Sequence, residues 1–243
     1  MKLMFLAGGI HKRTHDSYPL YLTEFCGNTI LEKQVDCYRH SNPDEFIFCV
    51  KADEIRDYQV DLVIKQIIPN CSIVPIKGLT KGAVCTALLG IVHLKNDGEL
   101  IIASVDDFID NSCIEIIDYF RKEKADVGVV SFDSVHPRYS FAKLNDKEEV
   151  VEVAEKRPIS KNALVSFYYF KNSDDFIECA KNVIRKNNPV NGSFYISQVL
   201  NEMILLQKKV AMYKIPNGKF HPLKTEMQLA QLMRELEEER NSK

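Results

Sequence analysis

Leu3-Met4-Phe5-Leu6-Ala7-Gly8-Gly9 begins the chain with a short apolar run that stops at two glycines. A run of this length fits a buried strand, and the glycines permit a tight turn after it. Similar short runs follow at 46–50, 73–76, 100–103 and 127–132. Segments with helical spacing separate them, at 29–41, 54–68, 82–95 and 112–124. This alternation is typical of βαβ units, so the sequence predicts an α/β protein, a Rossmann-like three-layer sandwich with a mostly parallel mixed sheet.

The pattern changes after residue 135. Three strand-like runs at 139–144, 150–155 and 164–170 have few helical residues between them. Helices at 173–187 and 194–207, a strand at 210–215 and an amphipathic helix from Thr225 complete the chain. The second half is therefore predicted to be a β-rich elaboration of the same sheet. No flexible linker separates the halves 1–135 and 136–243, so we expect a single domain over 1–243.

Composition excludes several classes of protein. Of 243 residues, 45% are hydrophobic and 27% are charged, as in an ordinary globular protein. A net charge of -2 provides no cationic field for nucleic acid. No apolar run approaches the roughly 18 residues of a membrane span, and the first residues lack the features of a signal peptide, so we expect a cytoplasmic protein. Seven cysteines without a CxxC pair predict reduced, mostly buried thiols.

The turn after the first strand is a candidate phosphate-binding loop. It reads Leu6-Ala7-Gly8-Gly9-Ile10-His11-Lys12-Arg13-Thr14. Its glycines let an anion approach the backbone amides, and Lys12 and Arg13 add cationic donors. The alternative is a tight connection that carries two solvated basic residues. The stretch matches neither the Walker loop nor the GxGxxG fingerprint.

Two further stretches follow predicted strands, and so lie at the same edge of the predicted sheet as the glycine-rich turn. Gly82 and Ala83 open a helix, where small residues admit a flat ring or a phosphate, or else serve only close packing. Asp106 and Asp107 follow the buried strand at 100–103. Ligands bind at the carboxyl ends of strands in open α/β sheets, and carboxylates suit Mg²⁺. The alternative role for an Asp in this position is to cap the next helix.

A third stretch carries a Glu and a Lys at a strand exit. Glu155 and Lys156 end the alternating strand at 150–155, ahead of the apolar run that contains Ser166. Such a pair is usually solvated on the surface. If it faces a pocket instead, Glu155 accepts from substrate hydroxyls and Lys156 contacts a phosphate.

In this order, the stretches resemble the motifs of the nucleotidyltransferases that activate sugar phosphates, a family with a GT-A-like fold. The glycine run is similar to LAGGxGTR, with Arg13 at the signature Arg. The stretch from Val150 to Phe170 is similar to V...EKPxxxxSNxAxxGxYxF and carries Glu155 and Lys156. The resemblance extends over about residues 1–230 in the order that the family has.

The resemblance implies a reaction. A phosphate oxygen of an acceptor, by default a sugar 1-phosphate, attacks the α-phosphorus of an NTP. Pyrophosphate leaves, and the product is an NDP-sugar for surface polysaccharide biosynthesis. The implied cofactor is Mg²⁺, and the implied partners are the NTP and the phosphorylated acceptor, without nucleic acid or membrane insertion.

The resemblance also assigns roles. It makes 1–135 the nucleotide-binding half and 136–243 the acceptor-binding half. Nucleotide binding falls to Ala7, Gly8, Gly9, Gly82 and Ala83. The catalytic cations are Arg13, Lys12 and Lys156, and the metal ligands are Asp106, with Asp107 as the fallback. Acceptor binding falls to Glu155, Lys156 and Ser166.

Three departures from the family pattern support an alternative. Leu20 stands where the family has a Lys, Pro222 where it has a second metal-binding Asp, and His11 where it has a Gly. The alternative is a catalytically weakened subunit that binds a nucleotide or NDP-sugar in a regulatory or assembly role. A metal-dependent glycosyltransferase is a third hypothesis, but it calls for a DxD and the chain has Asp106-Asp107-Phe108. The base, the acceptor and homo-oligomerisation stay open.

Overall fold

The structure is a computed structural model that describes residues 1–9, 18–25, 27–94 and 98–241. The predicted site residues Lys12 and Arg13, and the departure at His11, lie outside the described residues.

Thirteen strands are described. They are β1 (Lys2–Ala7), β2 (Glu24–Phe25), β3 (Asn28–Thr29), β4 (Glu45–Lys51), β5 (Ser72–Ile76), β6 (Leu100–Ser104), β7 (Asp107–Ile109), β8 (Val127–Asp133), β9 (Ser140–Leu144), β10 (Val150–Glu155), β11 (Asn162–Phe170), β12 (Val210–Lys214) and β13 (Phe220–Pro222).

The helices are α1 (Ile30–Arg39), α2 (Ala52–Tyr58), α3 (Val60–Ile67), α4 (Ala83–Leu89), α5 (Cys113–Lys122), α6 (Ser173–Lys186), α7 (Ile196–Leu205) and α8 (Glu226–Asn241), with short 3-10 helices at Leu20–Leu22 and Ile91–His93. Among the helices of the described part, none is long and apolar enough to cross a membrane.

Nine strands form one mixed sheet in the order β10-β9-β11-β6-β1-β4-β5, with β8 paired to β11 and β12 paired to β8. Pairing of β6, β1, β4 and β5 is parallel. β11 is antiparallel to β6, and β10 is antiparallel to β9. The chain leaves β1 toward β4 and β5 and then returns to β6 on its other side. Such a reversal opens a crevice at the carboxyl ends of the two strands, β6 and β1.

Helices cover both faces of the sheet. Successive side chains of β1 point to opposite faces, so this strand contributes to two hydrophobic cores. Leu3 and Phe5 pack with α1, α3, α5 and α8 on one face. Met4 packs with α4, α6 and α7 on the other. The predicted α/β class, with its mixed sheet between helical layers, is therefore confirmed.

Helix starts follow their capping residues. Thr29 caps α1 through a capping box, in which the Glu32 N–H donates to Thr29 Oγ1 at 3.1 Å and the Thr29 N–H donates to the Glu32 carboxylate at 2.6 Å. Ser112 caps α5, accepting from the Glu115 N–H at 3.4 Å. The cap at Ser112 removes the capping alternative for Asp106 and Asp107.

The structure differs from the sequence predictions at two helices and two short strands. The helix predicted at 54–68 is two helices, α2 and α3, because Gln59 between them is left-handed with a φ of 48°. The helix predicted at 82–95 stops at Leu89, before Gly90. The short strands β7 and β13 were not predicted, yet they pair with each other, with Pro222 opposite Asp107.

The prediction that the cysteines are reduced is wrong for one pair. Cys37 and Cys113 form a disulfide, with Cα atoms 5.8 Å apart and a sequence separation of 76. The end of α1 lies beside the start of α5, and that tertiary contact brings the two thiols together. The other described cysteines, Cys49, Cys71, Cys85 and Cys179, are free thiols.

Candidate active site

A cleft of about 770 Å³ opens at the carboxyl ends of β1 and β6. The amino-terminal part of β11 lies on the same edge because that strand runs antiparallel to β6. The cleft is lined by nine of the residues that the sequence singled out: Gly8, Gly9, Gly82, Ala83, Asp106, Asp107, Glu155, Lys156 and Ser166. Their roles remain predictions, but the fold brings them into one cavity.

One wall of the cleft is made of small residues. Gly82 has a φ of 108°, and a Cβ there would lie 2.5 Å from the carbonyl oxygen of Phe194. A Cβ on Gly8 would lie 3.0 Å from the Thr86 methyl group. Both glycines therefore permit close packing of this wall. Gly82 thus serves close packing, which was the alternative role for it, and also lines the cleft. Gly8 does not have the positive φ that a turn glycine often takes.

Asp107 is held firmly and faces the cleft. Its side chain is 5% exposed. One oxygen, Oδ2, accepts the backbone N–H of Ser166 at 3.1 Å. The other, Oδ1, is buried and has no hydrogen-bond partner among the described residues. Asp106 is more open, and its N–H donates to Ser104 Oγ at 3.2 Å. The backbone N–H of Ser166 thus orients the Asp107 carboxylate.

These carboxylates fit a magnesium ion. A buried carboxylate oxygen without a hydrogen-bond donor is costly, and a cation would satisfy it. Mg²⁺ commonly uses one or two protein carboxylates and takes its other ligands from water and substrate phosphates. In the described part of the chain, no three His, Cys, Asp or Glu side chains form a ready-made cage. The donor set is therefore suited to a metal that arrives with a phosphate.

The opposite wall carries Glu155 and Lys156. Glu155 Oε2 accepts from the Ser140 hydroxyl and, at 2.7 Å, from the Ser197 hydroxyl. One of its oxygens is thus committed to tying β9 and α7 to β10. Lys156 Nζ donates to the Tyr195 hydroxyl at 2.8 Å. No carboxylate of the described residues lies within ion-pairing distance of Lys156, so its charge is available to an anion in the cleft.

Sequence reasoning missed two cations of the cleft, Arg138 and Lys224. Arg138 lies over the Tyr139 ring, 4.8 Å from its centre. Lys224 Nζ lies 3.6 Å from Asp107 Oδ1, and the charge of Asp107 raises the pKa of Lys224 above its usual value. Spacing gave no signal for Arg138, because it lies in a loop. For Lys224, the available signal was the short strand just before it, Phe220–Pro222, but that strand was not predicted.

The segment that begins at Tyr18 is anchored by buried residues. Leu20 and Tyr21 are buried, and the Tyr21 hydroxyl donates to Glu54 Oε2 at 2.5 Å. Burial, and next to it the charge of Glu54, raises the pKa of Tyr21, so the phenol stays protonated. Glu54 also lies 3.8 Å from Lys51 Nζ. This buried contact fixes the segment that follows the glycine-rich turn.

Other candidates lie away from the cleft. Ala7 is buried in the core of β1 rather than on the cavity wall. The imidazole of His221, next to Pro222, faces Glu235 at 3.7 Å, and burial lowers its pKa. Leu20 is in the core and brings no charge to the site. Pro222 stands opposite Asp107 in the β7–β13 pair and offers no side-chain ligand.

The fold is similar to that of several solved structures. A nucleoside-diphosphate-sugar pyrophosphorylase from Vibrio cholerae RC9 matches with a TM-score of 0.82 and 22% identity, over 96% of this chain and 100% of that chain. A UDP-glucose pyrophosphorylase solved with UDP-glucose matches with a TM-score of 0.78 and 15% identity, over 98% of each chain.

A third structure, from Bacillus anthracis, is named as a candidate glucose-1-phosphate thymidylyltransferase and was solved with sucrose. It matches with a TM-score of 0.75 and 17% identity, over 96% of this chain and 94% of that chain. No family model matches the sequence. At these identities the likeness establishes the fold of the chain, which is the fold that the sequence motifs implied.

Proposed function

We propose that this chain, which shares its fold with the sugar-nucleotide pyrophosphorylases described above, is a nucleotidyltransferase. It transfers an NMP group from an NTP to a phosphorylated small molecule, by default a sugar 1-phosphate. The products are pyrophosphate and an NDP-sugar. In keeping with the sequence analysis, we propose Mg²⁺ as the cofactor, a cytoplasmic location and a place in surface polysaccharide biosynthesis.

One observation carries this proposal. The cleft combines a wall of small residues, the adjacent carboxylates of Asp106 and Asp107, the carboxylate of Glu155 and three cations around one cavity. Small residues suit a flat base and phosphates, and the two aspartates suit a metal bound to phosphate. The cations Arg138, Lys156 and Lys224 suit the charge of a second phosphorylated substrate. A cavity for one neutral sugar has no need of this charge distribution.

The chain's residues would act by positioning and by charge. The wall at Gly8, Gly9, Gly82 and Ala83 would hold the nucleotide, with Lys12 and Arg13 on its triphosphate. Lys156, oriented by Tyr195, would hold the acceptor phosphate in line with the α-phosphorus. An oxygen of that phosphate forms a bond to the α-phosphorus as the bond to pyrophosphate breaks. Alignment of the reacting groups and neutralisation of their charge are the main sources of rate in such reactions.

Asp106 and Asp107 would hold Mg²⁺. Bound there, the ion supplies positive charge to the phosphate oxygens and orients them. Glu155 would bind an acceptor hydroxyl through Oε1, because Oε2 is already used by the two serines. Ser166 would contribute by fixing Asp107 through its N–H. The halves 1–135 and 136–243 would supply the nucleotide side and the acceptor side of the cleft.

A second candidate is the binding subunit with a regulatory or assembly role. The observation that favours it is the position of Leu20, which is buried and places no cation near the phosphates. Pro222, next to Asp107 in the paired strands, likewise adds no ligand. This candidate binds a nucleotide or NDP-sugar in the same cleft and does not turn it over.

The test is pyrophosphate release by the full chain with Mg²⁺, each NTP in turn and a panel of phosphorylated acceptors. Release that requires one NTP and one acceptor is expected, and it identifies both substrates. Thermal stabilisation by a nucleotide or NDP-sugar without release would favour the binding subunit. If the chain shows no pyrophosphate release and no thermal stabilisation, both candidates are refuted.

Variants of the carboxylates sharpen this test. Asp106→Asn and Asp107→Asn should each reduce release by at least about 100-fold, a typical loss when one charge-stabilising group is removed. Asp133→Asn is the matched control, because Asp133 pairs with Lys214 at 2.7 Å outside the cleft. Full release by Asp107→Asn would remove Asp107 from the machinery.

A further inference from the structure

Lys224 faces the buried oxygen of the carboxylate pair. Its Nζ is 3.6 Å from Asp107 Oδ1, the oxygen that lacks a hydrogen-bond partner among the described residues. The Lys224 side chain is 55% exposed, whereas that of Asp107 is 5% exposed. The ammonium therefore sits at the cleft side of Asp107. At this distance the contact is an ion pair without a hydrogen bond, which leaves the ammonium free to move.

Backbone pairing brings Lys224 to this place. β13 pairs with β7 so that Pro222 lies opposite Asp107. The N–H of Leu223 then donates to the carbonyl oxygen of Asp106 at 2.6 Å, and the Leu223 side chain is buried. The residue after Leu223 must project at the mouth of the carboxylate pair. Main-chain contacts thus fix the backbone position of Lys224, whereas its exposed side chain can reorient.

A divalent ion and this ammonium compete for the same oxygen. A magnesium ion held by Asp107 would use the oxygen that the Lys224 ammonium faces at 3.6 Å. Two cations on one carboxylate oxygen repel each other, even when water screens them partly. The metal therefore binds tightly at Asp107 only when Lys224 has turned toward another anion. In this cleft, the anion within reach would be a substrate phosphate.

We propose that Lys224 is a phosphate-binding residue of the site, and that it occupies Asp107 until a phosphate enters. The phosphate draws the ammonium away and leaves Asp107 to the metal. Metal and phosphate consequently assist each other's binding through Lys224, a coupling that is reciprocal by thermodynamics. This inference rests on the proposed function in one respect: it assumes that the substrates carry phosphate groups.

The experiment measures two separate bindings to the full chain. Mn²⁺ binding to the protein alone is followed by the loss of the free-ion electron paramagnetic resonance signal. Pyrophosphate binding in the presence of a chelator is followed by calorimetry. Lys224→Gln is expected to bind Mn²⁺ about 10-fold more tightly and pyrophosphate about 10-fold more weakly than the wild type, a change of about 1.4 kcal/mol in each. Lys224→Arg keeps the pyrophosphate affinity because it keeps the charge.

Lys214→Gln is the control, since Lys214 is a half-exposed lysine in an ion pair with Asp133 outside the cleft. It should change neither affinity. Asp107→Asn should lose Mn²⁺ binding and bind pyrophosphate at least as tightly as the wild type, because the variant releases Lys224. Its pyrophosphate binding also shows that this variant folds. Unchanged or weaker Mn²⁺ binding by Lys224→Gln overturns the competition, and unchanged pyrophosphate binding overturns the phosphate role.

Neither measurement depends on turnover. A chain that releases no pyrophosphate from any NTP but shows both shifts loses the enzyme proposal and keeps this one. A chain that turns over an NTP but shows neither shift loses this one alone.

Discussion

At Gly82 the backbone takes a φ of 108° and passes beside the backbone of Phe194. The Val84 N–H donates to the Phe194 carbonyl oxygen at 3.1 Å, and the Phe194 N–H donates to the Lys81 carbonyl oxygen at 2.7 Å. These bonds join the start of α4 to the segment before α7. A single hydrogen atom on Gly82 is what allows the two backbones to approach.

Gly82→Ala should therefore destabilise the protein by about 2–3 kcal/mol, because the added methyl group overlaps main-chain atoms that cannot give way. Gly218→Ala is the control: Gly218 has a φ of 71°, and a Cβ there meets nothing within 4 Å. Its loss should be about 1 kcal/mol, from backbone conformation alone. Urea unfolding measures both, and equal losses would show that the contact with Phe194 is unimportant.

Lys156 permits a second test at single-residue scale. With its charge unpaired by the described carboxylates, Lys156→Met should reduce kcat/KM for the acceptor by at least about 100-fold and leave thermal stability unchanged. Tyr195→Phe should reduce it by about 10-fold, because only the hydrogen bond at 2.8 Å is lost. Lys143→Met, at an exposed position of β9, serves as the control in steady-state kinetics. A small effect at Lys156 would place the acceptor phosphate elsewhere.

At the scale of elements, Glu99 joins three of them. Its carboxylate accepts from Arg121 of α5, at 2.8 Å from Nε and 2.6 Å from Nη2, and from the Tyr169 hydroxyl of β11 at 2.7 Å. Glu99 itself precedes β6. The hydrogen bond from Arg121, followed by that from Tyr169, lowers the pKa of Glu99. The ionised carboxylate thus fastens the far end of the sheet to a helix.

The pH dependence of stability follows from this pKa. Because the folded value is below the unfolded value of about 4.3, Glu99 stabilises the fold above that pH and loses its contribution as the pH falls through the folded value. Glu99→Gln should be less stable at neutral pH by about 1–2 kcal/mol, a figure reduced by the partial exposure of Arg121. The difference from wild type should shrink in acid.

Thermal unfolding followed at a series of pH values measures this difference. Glu148→Gln, in an exposed turn, should follow the wild type at every pH. A difference at Glu99 that does not depend on pH would show that charge has no part in the contact.

At the scale of the molecule, the disulfide joins segments that are distant in sequence. Cys37 lies in the last turn of α1, which follows the glycine-rich turn in the chain, and Cys113 begins α5, which follows the carboxylate pair. A link across 76 residues restricts the unfolded chain and should stabilise the fold by about 4 kcal/mol by loop entropy. The two helices that flank the cleft's strands are thereby held together under oxidising conditions.

Reduction with dithiothreitol should accordingly lower the thermal midpoint of the wild type. Cys37→Ala should show the lower midpoint without the reductant and should not respond to it. Cys179→Ala, which removes a buried free thiol, should keep the response to reductant. A wild type that is insensitive to reduction would show that the link adds nothing to stability.

Local pattern was enough to predict most of the elements. The strands β1, β4, β6 and β10 begin and end within two residues of their predicted bounds. For β1, β4 and β6 the reason is that their apolar runs are buried on both faces. The helix division at Gln59 escaped prediction, since a left-handed residue other than glycine has no local signature. β7 and β13 escaped it as well, since each has three residues and exists through the other.

The sequence by itself determined the α/β class, the glycine turn after β1 and the carboxylates after β6, because these depend on periodicity and on the residues that follow a strand. Only the tertiary structure decided that Lys224 faces Asp107, that Arg138 lines the cleft and that Cys37 meets Cys113. Those contacts join residues more than 30 positions apart. Their geometry depends on strand register and helix packing. These are properties of the assembled fold, and no residue spacing in the sequence indicates them.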